Sequence, residues 1–232
     1  MKKTYLSLTV KILTVISAII GLALNFASAK ADGYSSAASR LLYFTNLSNI
    51  LVAAVALVFI VIEIKKLRTG ADLSTQRLYL IKLASTVSIT LTCFIFCAIL
   101  APGSENANYN AWTVGSIFVH TIVPGFAILD FILDSGDEAF KKTHNLISLI
   151  PPFVYFGVCV ILYVCKVDFG RGDNFPYFFL NFGSPAGIFG TSTVMPYRIG
   201  SFYWVIFISL IVYLISLTYS LIHNSNIKRK EK

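Results

Sequence analysis

The chain has 232 residues, of which 56% are hydrophobic and 13% are charged, and its mean hydropathy is +0.74. A soluble domain needs a polar surface, which this composition cannot supply. In a soluble protein the formal net charge of +8 would suggest a nucleic-acid partner, but here the charges lie in short segments between apolar runs. The composition therefore indicates an integral membrane protein with no nucleic-acid partner.

Six apolar runs are long enough to cross a bilayer as helices, which need about 20 residues at a rise of about 1.5 Å per residue. Lipid offers the backbone no hydrogen bonds, so spanning segments are helices or closed barrels, and barrel strands would be short and alternating. The sequence therefore predicts an all-α fold, a six-transmembrane-helix bundle that forms one domain over residues 1–232. The predicted spans are residues 12–29, 41–62, 83–100, 111–133, 146–165 and 201–223.

The basic residues predict the orientation of the bundle, because cytoplasmic loops carry an excess of Lys and Arg. Of the 19 basic residues, 14 fall in segments on the same side as the N-terminus: Lys2, Lys3, Lys11, Lys65, Lys66, Arg68, Arg77, Lys82, Lys141, Lys142, Lys228, Arg229, Lys230 and Lys232. The other side holds Lys30, Arg40, Lys166, Arg171 and Arg198. This asymmetry predicts that both termini are cytoplasmic, and we expect a multi-pass protein of the plasma membrane.

The first span also has an interpretation as a signal peptide. Lys2 and Lys3 precede an apolar stretch that ends in Ala27-Ser28-Ala29, which has the A-x-A form of a cleavage site. Cleavage there would leave five spans in the same orientation. We favour retention, because the stretch is long enough to cross the membrane.

The predicted outer segment from Val167 to Gly200 is long and rich in Gly, Pro and aromatic residues. Loops longer than about 12–15 residues are often lids or binding loops. The run FPYFF at residues 175–179 is too apolar for a free loop. Two interpretations stay open: the segment folds back over the mouth of the bundle, or it forms an aromatic belt at the membrane interface.

Several enzyme and metal-binding signatures are missing from the sequence, including G-x-S-x-G, H-E-x-x-H, a P-loop and a dinucleotide fingerprint. No cluster has metal-ligand spacing, so we expect no metal and no cofactor. His144 and His223 are expected to be solvated at the cytoplasmic edge. The four cysteines are interpreted as small buried hydrophobic residues rather than metal ligands or a disulfide: Cys93, Cys97, Cys159 and Cys165.

The start of the second span carries a dense set of polar side chains. Spacings of three and four place Thr45, Ser48 and Asn49 on one helical face, with Asn46 beside them. Such a face avoids lipid and is expected to point into the bundle. It could serve as hydrogen-bond glue between helices or as part of a functional site.

His120 is the histidine that falls inside a predicted span, about 12 Å from its outer end, and Thr45 lies about 6 Å from the outer end of span two. The two side chains are therefore expected to meet in the outer half of the bundle. A neutral imidazole can take the proton of a threonine hydroxyl and make that hydroxyl a nucleophile. The alternative is a structural, hydrogen-bonded histidine. Candidate partners for the ring are Ser116, Asn46 and Asn49.

Asp130 cannot orient that imidazole, because it lies ten residues later, or about 15 Å along the helix axis. Its position is near the inner face of the membrane. Lys82 enters span three at a similar depth, so the sequence predicts a structural Asp130–Lys82 ion pair.

Three stretches resemble the bacterial Pr6Pr family of membrane proteins. The run YFTNLSN at residues 43–49 resembles the family's Y-F-T-x-x-S-N start of span two. The segment from His120 to Asp130 resembles its H-x-x-x-P-x-x-x-x-x-D stretch, and PYFFLN at residues 176–181 resembles its Y-P-Y-P-F-L-D stretch. The chain has Phe178 and Asn181 where the last stretch carries a proline and an acidic residue.

That family is similar to the eukaryotic androgen-induced and androgen-dependent TFPI-regulating transmembrane proteins, which are threonine hydrolases of fatty acid esters of hydroxy fatty acids. The resemblance implies that Thr45 is a nucleophile and His120 its base. It also implies a lipid-ester substrate and membrane lipids as partners.

The residues and the resemblance together favour an intramembrane lipid-ester hydrolase. In this hypothesis an acyl carbonyl enters laterally from the outer leaflet, and His120 acts first as base and then as acid. Donors to the oxyanion would come from Asn46, Ser48 or Asn49. The alternatives are a transporter of small solutes or lipids, for which no internal repeat is visible, and a non-catalytic scaffold. The sequence leaves the oligomeric state open.

Overall fold

A computed structural model describes residues 2–103, 110–134 and 136–230. Over these residues the chain is helical, and its only strand-like pairing is an isolated antiparallel bridge between Thr191 and Ile199. Six helices are long and apolar enough to cross a membrane, which confirms the predicted all-helical, multi-pass architecture. Lys232, one of the predicted inner basic residues, lies outside the described residues.

The six helices follow one another in alternating directions: α1 Lys2–Ala27, α2 Phe44–Thr69, α3 Gln76–Leu100, α4 Val114–Leu133, α5 Lys142–Val164 and α6 Ser201–Lys230. Short 3-10 turns precede α2 and α6, over Ala37–Leu42 and Phe178–Leu180. We call the end of the bundle where α2, α4 and α6 begin the long-loop end. The opposite end, where α1 begins and α6 finishes, is the terminal end.

The start of α2 differs from the predicted start at Leu41. Residues Ala37–Leu42 form a 3-10 turn, and Tyr43 is extended (φ −97°, ψ 134°) before the helix begins at Phe44. Thr45 is therefore the second residue of α2 rather than a residue one turn inside it. Its backbone N–H belongs to the first turn, where N–H groups have no acceptor within the helix.

Close packing around α3 forms the centre of the bundle. This helix is the most buried of the six and contacts α2, α4 and α6. Its buried face carries small residues, which allow helices to approach one another closely in a membrane: Ala84, Ser85, Thr86 and Ser88. A second close approach joins α1 to α4, since a Cβ added at Gly21 would lie 2.7 Å from Cβ of Phe118.

A cluster of five charged side chains ties four helices together at the terminal end. Lys82 Nζ lies 2.9 Å from Asp130 Oδ2, the pair expected from the sequence, and 2.8 Å from Asp134 Oδ2. Lys11 was assigned to the inner polar segment, but it lies inside α1 with a fully buried side chain. Its Nζ contacts Asp130, Asp134 and Glu63 at 2.8, 3.0 and 3.1 Å. The expected pair is thus part of a larger network.

The first half of the segment between α5 and α6 folds back onto the long-loop end. Phe169, Phe179 and Leu180 are buried in the main apolar core, as the first of the two open interpretations expects. Phe189 and Met195 in the second half remain exposed, each at 66%. These two exposed side chains form an apolar surface at the long-loop end, as the interpretation of an aromatic belt at the membrane interface expects.

Two expectations about individual side chains are wrong. His223 is buried rather than solvated, and its ring stacks on Phe140 with centroids 3.9 Å apart. The cysteines were expected to be buried; Cys159 is buried, but Cys97 and Cys165 are exposed. Exposed residues on a membrane-spanning helix can face acyl chains, so apolar sequence context alone did not distinguish a lipid-facing cysteine from a core cysteine.

Candidate active site

Thr45 and His120 meet at the long-loop end of the bundle. The Thr45 hydroxyl oxygen Oγ1 lies 3.4 Å from Nε2 of the His120 imidazole. Thr45 is partly buried at the start of α2, and His120 is only 9% exposed on α4. The separation is slightly longer than a working nucleophile–base hydrogen bond of about 2.6–3.2 Å, as is common before a substrate is bound.

The contacts of the other ring nitrogen define the tautomer of His120. Nδ1 lies 2.9 Å from the backbone carbonyl oxygen of Ser116 and 3.1 Å from its hydroxyl. A carbonyl can only accept a hydrogen bond, so Nδ1 carries the proton and Nε2 presents a lone pair towards Thr45. Phe96 of α3 stacks on the ring, with centroids 3.8 Å apart and an interplanar angle of 13°. The imidazole is therefore held in the orientation and tautomer that a general base needs.

A local widening of α4 gives His120 this position. Residues Phe118–Ile122 form a π-helical turn, in which the N–H of Val123 donates to the carbonyl of Phe118. The next residue, Pro124, has no N–H to donate. Since neither residue donates to the carbonyl of Val119, that carbonyl is left for a partner outside the helix. Such π turns recur at functional sites.

Asn49 of α2 supplies that partner. Its Nδ2 donates to the carbonyl of Val119 at 3.0 Å and to the carbonyl of Thr45 at 2.8 Å. One side chain thus joins the backbone beside His120 to the backbone of Thr45. Buried carbonyls that lack a donor are costly, so this amide stabilises the distance between the two helices.

The side chains expected to support an oxyanion already have other partners. Both N–H groups of Asn49 go to the two carbonyls, and Ser48 Oγ lies 3.0 Å from the Thr45 carbonyl and 2.8 Å from the Thr92 hydroxyl. Asn46 Nδ2 donates to the carbonyl of Arg40 at 2.7 Å, while its Oδ1 accepts from Asn25 at 3.0 Å. These residues therefore form hydrogen bonds between neighbouring segments, as expected if the polar face of α2 serves in helix packing.

Sequence reasoning missed two residues of the site. Phe96 stacks on His120, and the hydroxyl oxygen of Tyr177 accepts a hydrogen bond from the backbone N–H of Thr45 at 3.4 Å. Tyr177 follows Thr45 by 132 residues, and no spacing rule links positions so far apart. The apolar run around Tyr177 was the only signal, and it indicated a buried segment without showing what the segment covers.

Two apolar cavities flank α5 near this site. The first, of about 80 Å³, lies between α3, α5 and α6, and its lining includes Thr45, Tyr177, Phe156 and Val212. His120 does not line it, so the imidazole lies behind Thr45. The second, of about 280 Å³, lies between α2 and α5. Phe44 and Tyr155, whose ring centroids are 5.2 Å apart, line both cavities.

No protein-family model, curated protein sequence or solved structure matches this chain. Among the described residues, no group of three or more His, Cys, Asp and Glu side chains has the arrangement of a metal site.

Proposed function

We propose that the protein is an intramembrane ester hydrolase in which Thr45 is the nucleophile and His120 the general base. The observation that carries this proposal is the partly buried contact of 3.4 Å between the Thr45 hydroxyl and Nε2 of an imidazole whose Nδ1 proton is held by a backbone carbonyl. A threonine hydroxyl is a weak nucleophile until an adjacent base takes its proton, and this arrangement supplies the base.

The reaction follows from the tautomer. Nε2 of His120 accepts the proton of Thr45 Oγ1 as that oxygen bonds to the ester carbonyl carbon, and the carbonyl oxygen becomes an oxyanion. Collapse of this intermediate breaks the bond to the alcohol oxygen, which takes the proton from Nε2 and leaves. The acyl group is then an ester of Thr45. A water molecule gives a proton to the same nitrogen, attacks the acyl carbon, and the carboxylic acid departs as Thr45 regains its proton.

An ester of apolar groups fits the surroundings of Thr45. The cavity that Thr45 lines is bordered by aromatic and aliphatic side chains of α3, α5 and α6. Its volume of about 80 Å³ is smaller than the roughly 300–1,000 Å³ of typical small-molecule sites. An acyl chain would therefore enter as α5 and α6 separate. The resemblance to the Pr6Pr family and the androgen-dependent threonine hydrolases supports the same residues and the same class of substrate.

We further propose that the protein lies in the plasma membrane with both termini in the cytoplasm and the first span retained. The 14 basic residues on the side of the termini support this orientation, which places Thr45 near the outer leaflet. Retention is supported by Lys11, because cleavage after Ala29 would remove the cation that contacts three buried carboxylates. Unpaired carboxylates within a membrane are costly.

The proposal is tested with an alkyl fluorophosphonate probe, which forms a covalent bond with activated hydroxyls. We expect the purified protein in lipid nanodiscs to be labelled, Thr45→Ser to keep labelling, and Thr45→Ala to lose it. His120→Gln should slow labelling by about 10²–10⁴-fold, the usual contribution of a general base. The matched control is Thr121→Ala, which removes an exposed hydroxyl next to His120 in sequence.

Undiminished labelling of Thr45→Ala would exclude this threonine as the nucleophile. If the unmodified protein neither reacts with the probe nor cleaves long-chain esters, the non-catalytic scaffold replaces the hydrolase as the interpretation. Thermal unfolding of each variant, followed by tryptophan fluorescence, separates loss of reactivity from loss of fold.

A further inference from the structure

The proposed reaction needs hydrogen-bond donors for the oxyanion, and the side chains of α2 do not supply them. The described donors of Asn46, Ser48 and Asn49 go to other groups. Two other donors lie beside the Thr45 hydroxyl. One is the backbone N–H of Thr45, which belongs to the first turn of α2 and has no acceptor within the helix. In the structure this N–H donates to the hydroxyl oxygen of Tyr177 at 3.4 Å, a long hydrogen bond, and the hydroxyl of Tyr177 is the second donor.

The separation of these two groups suits a shared acceptor. An oxygen about 2.9 Å from the Thr45 nitrogen and about 2.7 Å from the Tyr177 hydroxyl would have ordinary hydrogen bonds to both. The Thr45 N–H would exchange its long hydrogen bond to the Tyr177 oxygen, 3.4 Å away, for a shorter one to this acceptor, while the Tyr177 hydroxyl donates its own proton to the same acceptor. The acceptor would then lie next to Thr45 Oγ1, where the carbonyl oxygen of an ester comes when Oγ1 bonds to its carbon. The positive end of the helix dipole at the start of α2 adds to the stabilisation of negative charge there.

We propose that Tyr177 is a catalytic residue whose hydroxyl forms the oxyanion site together with the backbone N–H of Thr45. This inference rests on the proposed hydrolase function and adds a role for the segment between α5 and α6. When that segment folds onto the bundle it completes the site, in addition to covering it.

The ring of Tyr177 is positioned before any substrate arrives. It stacks on Phe179 with centroids 5.1 Å apart and an interplanar angle of 8°, and it packs edge-on against Tyr43 at 5.8 Å. Phe179 is itself buried in the main core. Fixed donors stabilise a developing charge without reorganisation during the reaction, which is why such donors contribute strongly.

The phenol of Tyr177 also stays protonated at physiological pH. Burial raises its pKa to about 12, although hydrogen bonds from Thr45 act in the opposite direction. A group with this pKa keeps its proton throughout the neutral range, so it is available as a donor.

The test is Tyr177→Phe, which removes the hydroxyl and retains the ring. We expect kcat for a fluorogenic long-chain ester to fall by about 10²–10³-fold, as when other oxyanion donors are removed, with KM changed by less than about threefold. A trifluoromethyl ketone, which forms a tetrahedral adduct with the nucleophile, should lose affinity by a similar factor. The control is Tyr43→Phe, which removes a hydroxyl that donates to the carbonyl of Phe169 rather than facing Thr45.

A change in KM alone, or equal loss of kcat in both variants, would overturn the catalytic role and leave Tyr177 as a packing residue. Faster turnover of Tyr177→Phe would show that the phenol blocks the site. If the wild-type protein hydrolyses the ester and Tyr177→Phe equals it, only this inference fails. If the wild type is inactive and unreactive, the proposed function fails with it.

A second variant keeps the test valid if Tyr177→Phe does not fold. Incorporation of 3-fluorotyrosine at position 177 retains the hydroxyl and makes it more acidic. Activity should then match the wild type near pH 7 and decline at a lower alkaline pH than in the wild type. An unchanged alkaline limb of the pH profile would contradict a role for the phenol proton.

Discussion

Removal of the buried Lys11 ammonium tests whether the charged cluster holds the bundle together. The change is Lys11→Met, which keeps an unbranched chain of similar length and removes the charge. Lys11 is fully buried and contacts Glu63, Asp130 and Asp134 at 2.8–3.1 Å. Counted formally, two lysines and three carboxylates give the cluster a charge of −1, and the substitution makes it −2.

The expected loss follows from burial. Breaking a buried ion pair by removing one partner typically destabilises a protein by about 3–5 kcal/mol, because the other charge stays uncompensated. For a chain of this size, that corresponds to a decrease in Tm of about 6–20 °C. The matched control is Lys66→Met, which removes the partner of Asp72 in an ion pair where the Lys66 side chain is 53% exposed. A surface pair contributes about 0–1 kcal/mol, so the control should change Tm little.

Thermal unfolding in nanodiscs at pH 7, followed by tryptophan fluorescence, provides the measurement. Combining Lys11→Met with Asp134→Asn restores the formal charge of −1 and should recover part of the loss, since interacting residues show coupling of about 0.5–3 kcal/mol. A loss for Lys11→Met below about 1 kcal/mol, or equal to that of Lys66→Met, would refute the argument that the cluster stabilises the fold.

Two further predictions concern helix packing and orientation. Gly21→Val should lower stability by about 1–3 kcal/mol and reduce probe labelling, because its Cβ would lie 2.7 Å from Cβ of Phe118, two residues before His120. The control is Gly125→Ala on α4, where an added Cβ has no neighbour within 4 Å. Its free energy of unfolding should be unchanged or slightly higher, which unfolding assays will show. In a variant whose only cysteine is Cys165, a membrane-impermeant maleimide should label intact cells. The same reagent should not label Ser74→Cys in a cysteine-free background, and the reverse pattern would invert the proposed orientation.

Much of the architecture could be predicted from the sequence, because the physics that decides it is local. A run of about 20 apolar residues must be helical in lipid whatever its neighbours are. The meeting of Thr45 and His120 could also be expected, since each depth follows from a rise of about 1.5 Å per residue along its own helix. Their separation of 3.4 Å agrees with the expected depths, and the resemblance to the Pr6Pr family had pointed to the same pair, although the start of α2 lies three residues later than predicted.

The misplacement of Lys11 has a physical cause that the sequence partly reveals. A charged residue normally ends an apolar span, so the first span was expected to start after it. Its burial depends on carboxylates from other helices, and these lie 52 or more residues away. One signal was available: Glu63 and Asp130 both lie near the inner face, whereas Lys82 alone cannot neutralise two carboxylates. An acidic side chain inside a membrane is costly without a cation beside it, so the second carboxylate indicated a second buried cation.

Pro124 and Asn49 lie in two different sequence motifs, but in the structure they are linked through one backbone carbonyl, that of Val119. Pro124 lacks an N–H, and the π turn before it moves the N–H of Val123 to another carbonyl, so the carbonyl of Val119 accepts from Asn49 instead. The same amide donates to the carbonyl of Thr45. A proline on one helix and an asparagine on another therefore both affect the distance between Thr45 and His120. This link could not be predicted from the sequence, because the carbonyl of Val119 lacks a donor within its helix only once the π turn has formed.

The two ends of the bundle differ in how tightly their helices are held. At the terminal end, ion pairs join α1, α2, α3 and α4, and separating them would leave buried charges without partners. At the long-loop end, α5 contributes only two buried residues to the core from its α-helical part, Tyr155 and Cys159, and apolar cavities lie on both of its sides. Movement of α5 therefore disturbs few buried contacts, whereas movement of α1 to α4 breaks the cluster. Thr45 and His120 lie on helices that the cluster joins, and the cavity that Thr45 lines lies beside the loosely held helix. In the proposed reaction, a substrate can therefore open its own space without separating the proposed nucleophile from its base.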